Sequence, residues 1–158
     1  MGHYAAEHGR FGGDFSFHRM SWIKPNFLWM MYRSGWGTKP HQEVTLAIKL
    51  RRAAFEQLLQ QAVASSFTTS NVSDQALWQQ QIAESDVRLQ WDPDHDPYGA
   101  KLNRRAVQIG IRGNSLVRFS NEWIISIEDI SPFVAELRQH VQQQDLSALQ
   151  TPLERVFR

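Results

Sequence analysis

The chain has 158 residues, of which 42% are hydrophobic and 21% are charged, and its formal net charge is +1. This length suits a single domain that buries about two thirds of the surface its unfolded chain exposes, and the composition is that of a soluble globular protein. Because the chain lacks cysteine, disulfides, thiol catalysis, iron–sulfur clusters and cysteine-bound zinc are excluded.

Residues 1–18 are rich in glycine and predict an irregular N-terminal segment, with a short helix that ends before Gly9. They lack the apolar centre of a signal peptide, and no apolar run elsewhere approaches the roughly 18 residues of a membrane span. We therefore expect a cytoplasmic protein with no membrane partner. The sequence sets no oligomeric state.

Residues 19–36 have the composition of a binding site. The segment reads RMSWIKPNFLWMMYRSGW and holds three of the six tryptophans. From residue 19 to residue 52 there are seven Lys or Arg residues and one acid, Glu43, which gives a formal charge of +6. Neither a plain core nor a plain surface needs this mixture of rings and cations. It favours an anionic ligand with a flat ring.

Residues 21–23 predict a short strand, and residues 27–32 predict a helix. Pro25 suits the first position of that helix, since its missing N–H is not needed there, and Gly35 suits the position after its end. Because the helix is apolar on nearly every side, we expect it to be buried, with Trp29 in the core.

The side chains around this helix form the candidate binding set. Trp22 and Trp36 flank its two ends, where a ring can reach a cleft, and are the candidates for stacking on a ligand. Tyr32 and Arg33 are adjacent and point about 100° apart on a helix, so at most one of them faces the core squarely. The candidates for phosphate contacts are the nearby cations Lys24, Arg33 and Lys39.

The later elements follow from the periodicity of apolar residues. Residues 43–50 alternate apolar and polar side chains and predict the clearest strand, and residues 53–64 switch to a helical period. Further helices are expected at residues 73–84, capped by Ser73, at 114–121 and from Pro132 onward, capped by Ser131, and further strands at 87–91, 107–111 and 123–127. A turn is expected at residues 92–97 and an extended tail at 146–158. The sequence predicts one α+β domain over residues 1–158, with a mixed or mainly antiparallel sheet and helices packed mainly on one side.

Charge alternates along the chain. Residues 53–100 carry a formal charge of −6, and residues 101–118 carry +5. If the fold joins residues 101–118 to the basic residues 19–52, the two blocks form one positive face that attracts phosphate. For the second block taken alone, a solvated surface balanced by acidic neighbours is the favoured interpretation.

Two motif-like segments are set aside. Residues 34–39 resemble a phosphate loop, but the Walker spacing is missing and the glycines follow a helix, at the negative end of its dipole. Residues 92–97 place three aspartates as in a calcium loop, but Pro97 and Asn103 stand where Gly and a bidentate Glu are required. An acidic turn bracketed by prolines is the favoured interpretation, and no metal is predicted.

Glu128 and Asp129 follow a predicted strand immediately before a predicted helix. The end of a strand is a common place for a catalytic carboxylate, and neighbouring residues there point to opposite faces. Acids at this place also complement the positive end of a helix, and the sequence favours neither interpretation. Glu43, on the polar face of its strand, is a further candidate carboxylate.

Five blocks in order resemble an uncharacterised family catalogued as domain of unknown function 4291: RMSWIKPNFLWMMYRSGWGTK, QEVTLAIKLRR, VRLQWDPDHD, AVQIGIRG and EWIISIEDIS. The resemblance covers nearly all of residues 10–145 and implies kinship without an established activity. Members of that family begin with an additional strand ahead of the segment seen here as Gly9, Arg10 and Phe11. Either this chain starts inside the domain, or this member lacks that strand.

A looser similarity is to the ADP-ribosyltransferase superfamily, in which an early strand, an aromatic-bearing helix and a late carboxylate surround NAD. By order along the chain, this similarity implies that Trp22 and Tyr32 are ring platforms and that Glu128 is the catalytic acid. In that chemistry the carboxylate holds the ribose and favours the oxocarbenium-like transition state, while basic groups bind the pyrophosphate. The basic groups here would be Lys24, Arg33 and Lys39.

Three functions remain open at this point. The first is a nucleotide-handling enzyme that resembles ADP-ribosyltransferases and binds NAD or a similar nucleotide in an aromatic and basic cleft. Glu128→Gln should then abolish turnover and leave ligand binding nearly intact. The alternative is a non-catalytic nucleic-acid-binding module, in which the basic blocks follow the backbone while Trp22 and Trp36 stack on bases. A structural or partner-binding domain needs the fewest assumptions.

Overall fold

The structure, a computed structural model, describes residues 1–157. Within that range the six α-helices are α1 (Gly2–His8), α2 (Phe27–Ser34), α3 (Arg52–Gln61), α4 (Gln75–Glu84), α5 (Gly113–Arg118) and α6 (Ser131–Gln142). The six strands of the same range are β1 (Ser21–Ile23), β2 (Leu46–Leu50), β3 (Val63–Ala64), β4 (Val87–His95), β5 (Lys101–Ile111) and β6 (Ile124–Asp129). A 3₁₀ turn at Phe67–Thr69 and a π-helical turn at Phe119–Trp123 also occur. None of the described helices combines the length and apolarity needed to cross a membrane.

The strands form two sheets. The larger sheet has the order β1–β5–β4–β3, in which β3 runs parallel to β4 and the other neighbours are antiparallel. The smaller sheet is the antiparallel pair β2–β6, in which Ile48 lies opposite Ile127. The predicted single α+β domain with a mixed sheet is therefore confirmed.

The main core lies between the larger sheet, α3 and the helical segment that runs from α5 into the π-helical turn. Its buried apolar side chains are Ala54, Leu58, Val87, Ile109, Ile111, Leu116, Phe119 and Trp123. Alternate residues of β5 reach this core, as the two-residue period of a strand requires. Trp29 of α2 is also buried, as its position in an apolar helix predicts.

Several helix boundaries differ from the predictions. α3 ends at Gln61, and residues 63–64, predicted as helix, form β3. α2 begins at Phe27 and not at Pro25, because Asn26 takes the extended conformation of an N-cap residue. Asp74, and not Ser73, caps α4, since its carboxylate accepts hydrogen bonds from two N–H groups in the first turn. In both cases the residue that caps the helix is extended and directly precedes its first turn.

The acidic turn expected at residues 92–97 is mostly strand. β4 runs to His95 and pairs with β5 across an irregularity that accommodates Pro93. The chain reverses only after that point, where Asp96 accepts hydrogen bonds from two following backbone N–H groups. Pairing with a distant strand therefore outweighs the local turn preference of Asp and Pro.

A hydrogen-bonded link joins the smaller sheet to α6. The backbone N–H of Thr45 donates to the hydroxyl of Ser131 at 2.9 Å, and that hydroxyl donates to the Asp129 carboxylate at 2.5 Å. The backbone N–H of Ser131 also donates to Asp129. These bonds from Ser131 lower the pKa of Asp129. Asp129 thus stabilises the start of α6, which is the structural role expected for an acid at this place.

Thr45→Val is expected to stabilise the protein by about 1 kcal/mol, because an unsatisfied buried hydroxyl costs about 1–3 kcal/mol and valine keeps the shape. Thr45 is 5% exposed, and its hydroxyl has no hydrogen-bond partner within residues 1–157. Urea-induced unfolding measures the difference. Thr38→Val is the control, since the exposed Thr38 hydroxyl donates to a backbone carbonyl at 2.7 Å and its removal should not stabilise. A Thr45→Val variant less stable than the wild type would contradict this account.

Candidate functional site

A cavity of about 640 Å³ opens between β1 of the larger sheet and β2 of the smaller sheet. Its lining side chains come from β1, the segment before α2, one face of β2 and α3, and they include Trp22, Lys24, Leu46, Ile48 and Phe55. Most of the lining is apolar, and Lys24 and Arg52 add positive charge. The volume falls within the range of about 300–1,000 Å³ typical of small-molecule sites. We call this space the central cavity.

The Trp22 ring lies against a glycine of the neighbouring strand. In the β1–β5 register, Trp22 is opposite Gly110. A Cβ atom at position 110 would stand 3.0 Å from ring atoms of Trp22 and 2.6 Å from the sulfur of Met20. The missing side chain of Gly110 is therefore what lets this ring pack against the sheet.

The ammonium group of Lys24 is held by the backbone of Trp22 and lies near the ring of Trp29. It donates a hydrogen bond to the backbone carbonyl of Trp22 at 3.3 Å and lies 6.0 Å from the centre of the Trp29 ring. Burial, and to a lesser degree the charge of Arg33, lowers the pKa of Lys24 to about 8. A cation that has lost part of its hydration gains from an anionic ligand. Lys24 is therefore a candidate contact for a phosphate or carboxylate group.

Tyr32, Arg33 and Lys39 form a separate cluster at the other end of α2. The eight residues of α2 place this end about 12 Å from the start of the helix. The ring of Tyr32 stacks on His95 with 3.6 Å between ring centres, and the Lys39 ammonium is 5.9 Å from the Tyr32 ring centre. Lys39 also donates to the carbonyl of Arg33 at 2.8 Å. Because His95 covers one face of Tyr32, that ring offers a ligand only its other face.

Trp36 lines a second cavity, of about 410 Å³, near the start of α6. Its indole N–H donates to the carbonyl of Pro97 at 3.2 Å. Glu43 and Asp129 line the same cavity. The structure thus places the two predicted stacking residues, Trp22 and Trp36, in different cavities.

Glu128 projects from the other face of the smaller sheet. In the β2–β6 register it lies opposite Ala47, and directly opposite residues share a face of the sheet. Leu46 and Ile48 alternate with Ala47 and line the central cavity. The Glu128 side chain is exposed and is not part of that lining. The structure therefore does not bring Glu128 together with the predicted ring and cation of the cavity.

A buried ion pair that the sequence did not single out lies beside α2. Asp94 is 0% exposed, and its carboxylate accepts two hydrogen bonds from the guanidinium of Arg104, at 2.9 and 2.5 Å. Arg104 also contacts Glu154 of the C-terminal tail at 3.3 Å. Asp94 lies at the irregularity between Pro93 and His95, and only the folded structure shows that its side chain is buried. Across residues 1–157, no three His, Asp or Glu side chains are grouped as metal ligands.

The second basic block makes many contacts within the protein. Arg105 and Arg112 donate to backbone carbonyls of neighbouring segments, and Arg118 pairs with Glu122 at 3.2 Å. Arg104 is held by Asp94, as described above. These contacts agree with the interpretation of residues 101–118 as a charge-balanced surface.

The fold and its cavities define a single α+β domain that holds an aromatic and cationic cavity between a mixed sheet and a small antiparallel sheet. The sequence matches the family described as Domain of unknown function (DUF4291) over residues 1–157, and the chain belongs to that family. No curated protein and no solved structure matches it. The family membership predicted from the five sequence blocks is confirmed, whereas no match supports a relationship to ADP-ribosyltransferases.

Proposed function

We propose that this protein binds a nucleotide in the central cavity, with Trp22 against a flat ring and Lys24 at a phosphate. The observation that carries the proposal is the Lys24 ammonium, which lies in a mainly apolar cavity wall and bonds to the carbonyl of Trp22 at 3.3 Å. A partly desolvated cation in a mainly apolar cavity wall that Trp22 also lines suits a ligand that joins a flat ring to an anion. NAD is the first ligand to test, because a pyrophosphate joins its two ring systems.

Two physical arguments favour a nucleotide over simpler ligands. A purely apolar ligand would leave the Lys24 charge unpaired in surroundings of low dielectric, which is costly. A small anion alone would leave the apolar wall formed by Ile48, Leu50 and Phe55 in contact with water. A ligand that carries both a ring and a phosphate satisfies both parts of the cavity.

The proposal concerns binding and gives Glu128 no part, because that side chain lies on the face of the smaller sheet opposite to Leu46 and Ile48. Tyr32, Arg33 and Lys39 lie at the far end of α2, and their roles as a ring platform and phosphate contacts stay predictions. Transfer of ADP-ribose, which the resemblance to ADP-ribosyltransferases implies, also stays a prediction. Release of nicotinamide from NAD is the assay for it.

Trp22→Ala is expected to weaken NAD binding about 5- to 150-fold, because stacking of a base on an aromatic ring contributes about 1–3 kcal/mol. Isothermal titration calorimetry measures the affinity, and Trp22→Phe, which keeps a smaller ring, should fall between the alanine variant and the wild type. Glu128→Gln is the control for a change outside the cavity and should bind NAD like the wild type. Equal affinity of Trp22→Ala and the wild type would remove Trp22 from the site.

The alternative is nucleic-acid binding, and it can be tested with the same purified protein. A melting temperature that rises with NAD and not with a single-stranded oligonucleotide supports the nucleotide site. Oligonucleotide binding that weakens steeply with salt, together with no effect of NAD, would replace this proposal with the nucleic-acid-binding module.

A further inference from the structure

Lys24 is a partly buried lysine without a carboxylate partner. Its Nζ donates to the backbone carbonyl of Trp22 and lies 6.0 Å from the centre of the Trp29 ring. Within residues 1–157 no Asp or Glu side chain forms an ion pair with it, and the described lining of the central cavity contains no acid. A lysine that is withdrawn from water is normally paired. The folded protein therefore does little to keep this amine protonated.

The Lys24 amine is neutral in a substantial fraction of molecules at neutral pH. Burial, followed by the charge of Arg33, lowers its pKa to about 8. At pH 7 about one molecule in ten then carries the neutral amine, whereas an ordinary lysine with a pKa of about 10.4 is neutral in fewer than about one in a thousand. Only the neutral amine has the lone pair that attacks a carbonyl carbon. Desolvation and a neighbouring cation are the two means by which proteins activate lysines for this attack.

The cavity that Lys24 lines suits an apolar electrophile. It has a volume of about 640 Å³, and apolar side chains, among them Trp22, Ile48 and Phe55, form most of its wall. Surroundings of this kind disfavour the charged amine and protect an imine from hydrolysis. The hydrogen bond to the Trp22 carbonyl uses one N–H of the neutral amine and leaves its lone pair free. Amine and cavity together therefore provide a nucleophile and a space for its substrate.

The other lysines of the chain provide internal controls. They are Lys39, Lys49 and Lys101, and all three are exposed. Lys49 lies on β2 between Ile48 and Leu50, which line the central cavity, but its own side chain alternates to the other face of the strand. Lys49 therefore shares a strand with the cavity wall without sharing its environment.

We propose that Nζ of Lys24 is a covalent binding site for an apolar aldehyde that enters the central cavity. The neutral amine attacks the carbonyl carbon, a C–N bond forms, and the π electrons of the C=O bond move to the oxygen, which gains a proton as the nitrogen loses one. The resulting carbinolamine loses its hydroxyl and the second nitrogen proton as water, which leaves an imine. One amine and one aldehyde thus give one imine and one water, without an oxidant or a reductant. The reaction goes beyond the proposed nucleotide contact, which uses the protonated form of the same side chain.

Reductive trapping with benzaldehyde tests the site. Sodium cyanoborohydride converts each imine to a stable secondary amine, and peptide mapping by mass spectrometry measures the initial rate at each lysine at pH 7 without nucleotide. Lys24 is expected to react at least about tenfold faster than Lys49, because its neutral fraction exceeds that of an ordinary lysine by more than this factor. In concentrated urea the two rates should become similar, since the cavity is lost. Lys24→Arg, which keeps the charge, should lose the Lys24 product and label Lys49 at the wild-type rate.

A Lys24 rate equal to or below that of Lys49 in the folded protein would overturn the proposal and leave Lys24 as a side chain that only packs in the wall. A rate ratio that persists in urea would also overturn it, because the reactivity would then come from neighbouring residues in the sequence and not from the cavity. Acetaldehyde, which lacks an apolar ring, should give a smaller ratio than benzaldehyde, and an equal ratio would overturn the apolar class of ligand. Because these reactions contain no nucleotide, their outcome does not depend on whether NAD binds.

Discussion

Lys24→Met is expected to weaken NAD binding about 10- to 100-fold at pH 7, because a hydrogen bond to a charged group contributes about 1.5–3 kcal/mol. The ammonium lies in the wall of the central cavity, and burial, followed by the charge of Arg33, lowers its pKa to about 8. It is therefore mostly protonated at pH 7. Methionine retains the apolar stem that packs in the wall and removes only the charge. Calorimetric titration of both proteins with NAD measures the loss.

The pH dependence of binding follows from the same lowered pKa. Protonated Lys24 attracts the pyrophosphate and neutral Lys24 does not, so wild-type affinity should be highest below about pH 8 and decline above it. Bound pyrophosphate favours the protonated form, which moves the decline upward in the complex. The affinity of Lys24→Met should stay flat between pH 7 and pH 9.5. A flat profile for the wild type would contradict a contact between Lys24 and phosphate.

Stability provides the control for this variant. The folded protein disfavours charged Lys24, because its pKa is lowered from 10.5 to about 8. The resulting cost to stability is present in full below about pH 8 and disappears as the pH rises to about 10.5, above which the side chain is neutral in both states. Lys24→Met should therefore melt higher than the wild type at pH 7, with a smaller difference at pH 10. Loss of NAD binding by a more stable protein cannot come from misfolding.

Arg104→Met is expected to lower the free energy of unfolding by about 1–3 kcal/mol, because it removes two hydrogen bonds from a buried carboxylate whose arginine partner is half exposed. Asp94 is 0% exposed and accepts hydrogen bonds from Arg104 at 2.9 and 2.5 Å. The same substitution also removes the contact between Arg104 and Glu154 of the tail. Urea-induced unfolding followed by tryptophan fluorescence measures the change.

Two further variants test whether the loss of stability comes from the buried charge of Asp94 or from the removal of an arginine as such. Asp94→Asn combined with Arg104→Met should recover at least half of the lost stability, because the amide carries no charge and its oxygen still accepts from the N–H of His95, as Asp94 does at 2.8 Å. Arg118→Met breaks the exposed pair with Glu122 and should cost less than about 1 kcal/mol. Equal losses for Arg104→Met and Arg118→Met would show that the buried charge does not set the effect.

Composition predicted part of the candidate site, but the fold places the predicted residues in two separate cavities. The mixture of rings and cations in residues 19–36 indicated a ligand site, and Trp22 and Lys24 of that segment do line the central cavity. The same segment continues through α2, whose eight residues span about 12 Å, so Trp36 reaches a different cavity. Composition reports which side chains are close in sequence, but a helix between them decides whether they meet in space.

By itself the sequence determined the class of fold, most helices and strands, and the family, because periodicity, capping and family blocks are properties of short segments. Only the tertiary structure decided that Asp94 points inward, that Glu128 points away from the central cavity, and that Glu154 reaches α2. The direction of a strand side chain reverses with a shift of one residue in register, and register is set by pairing with a distant strand. The contact between the C-terminal tail and α2 likewise depends on how segments remote in sequence pack together. The residues next to Glu154 or next to Phe27 in the sequence do not indicate this contact.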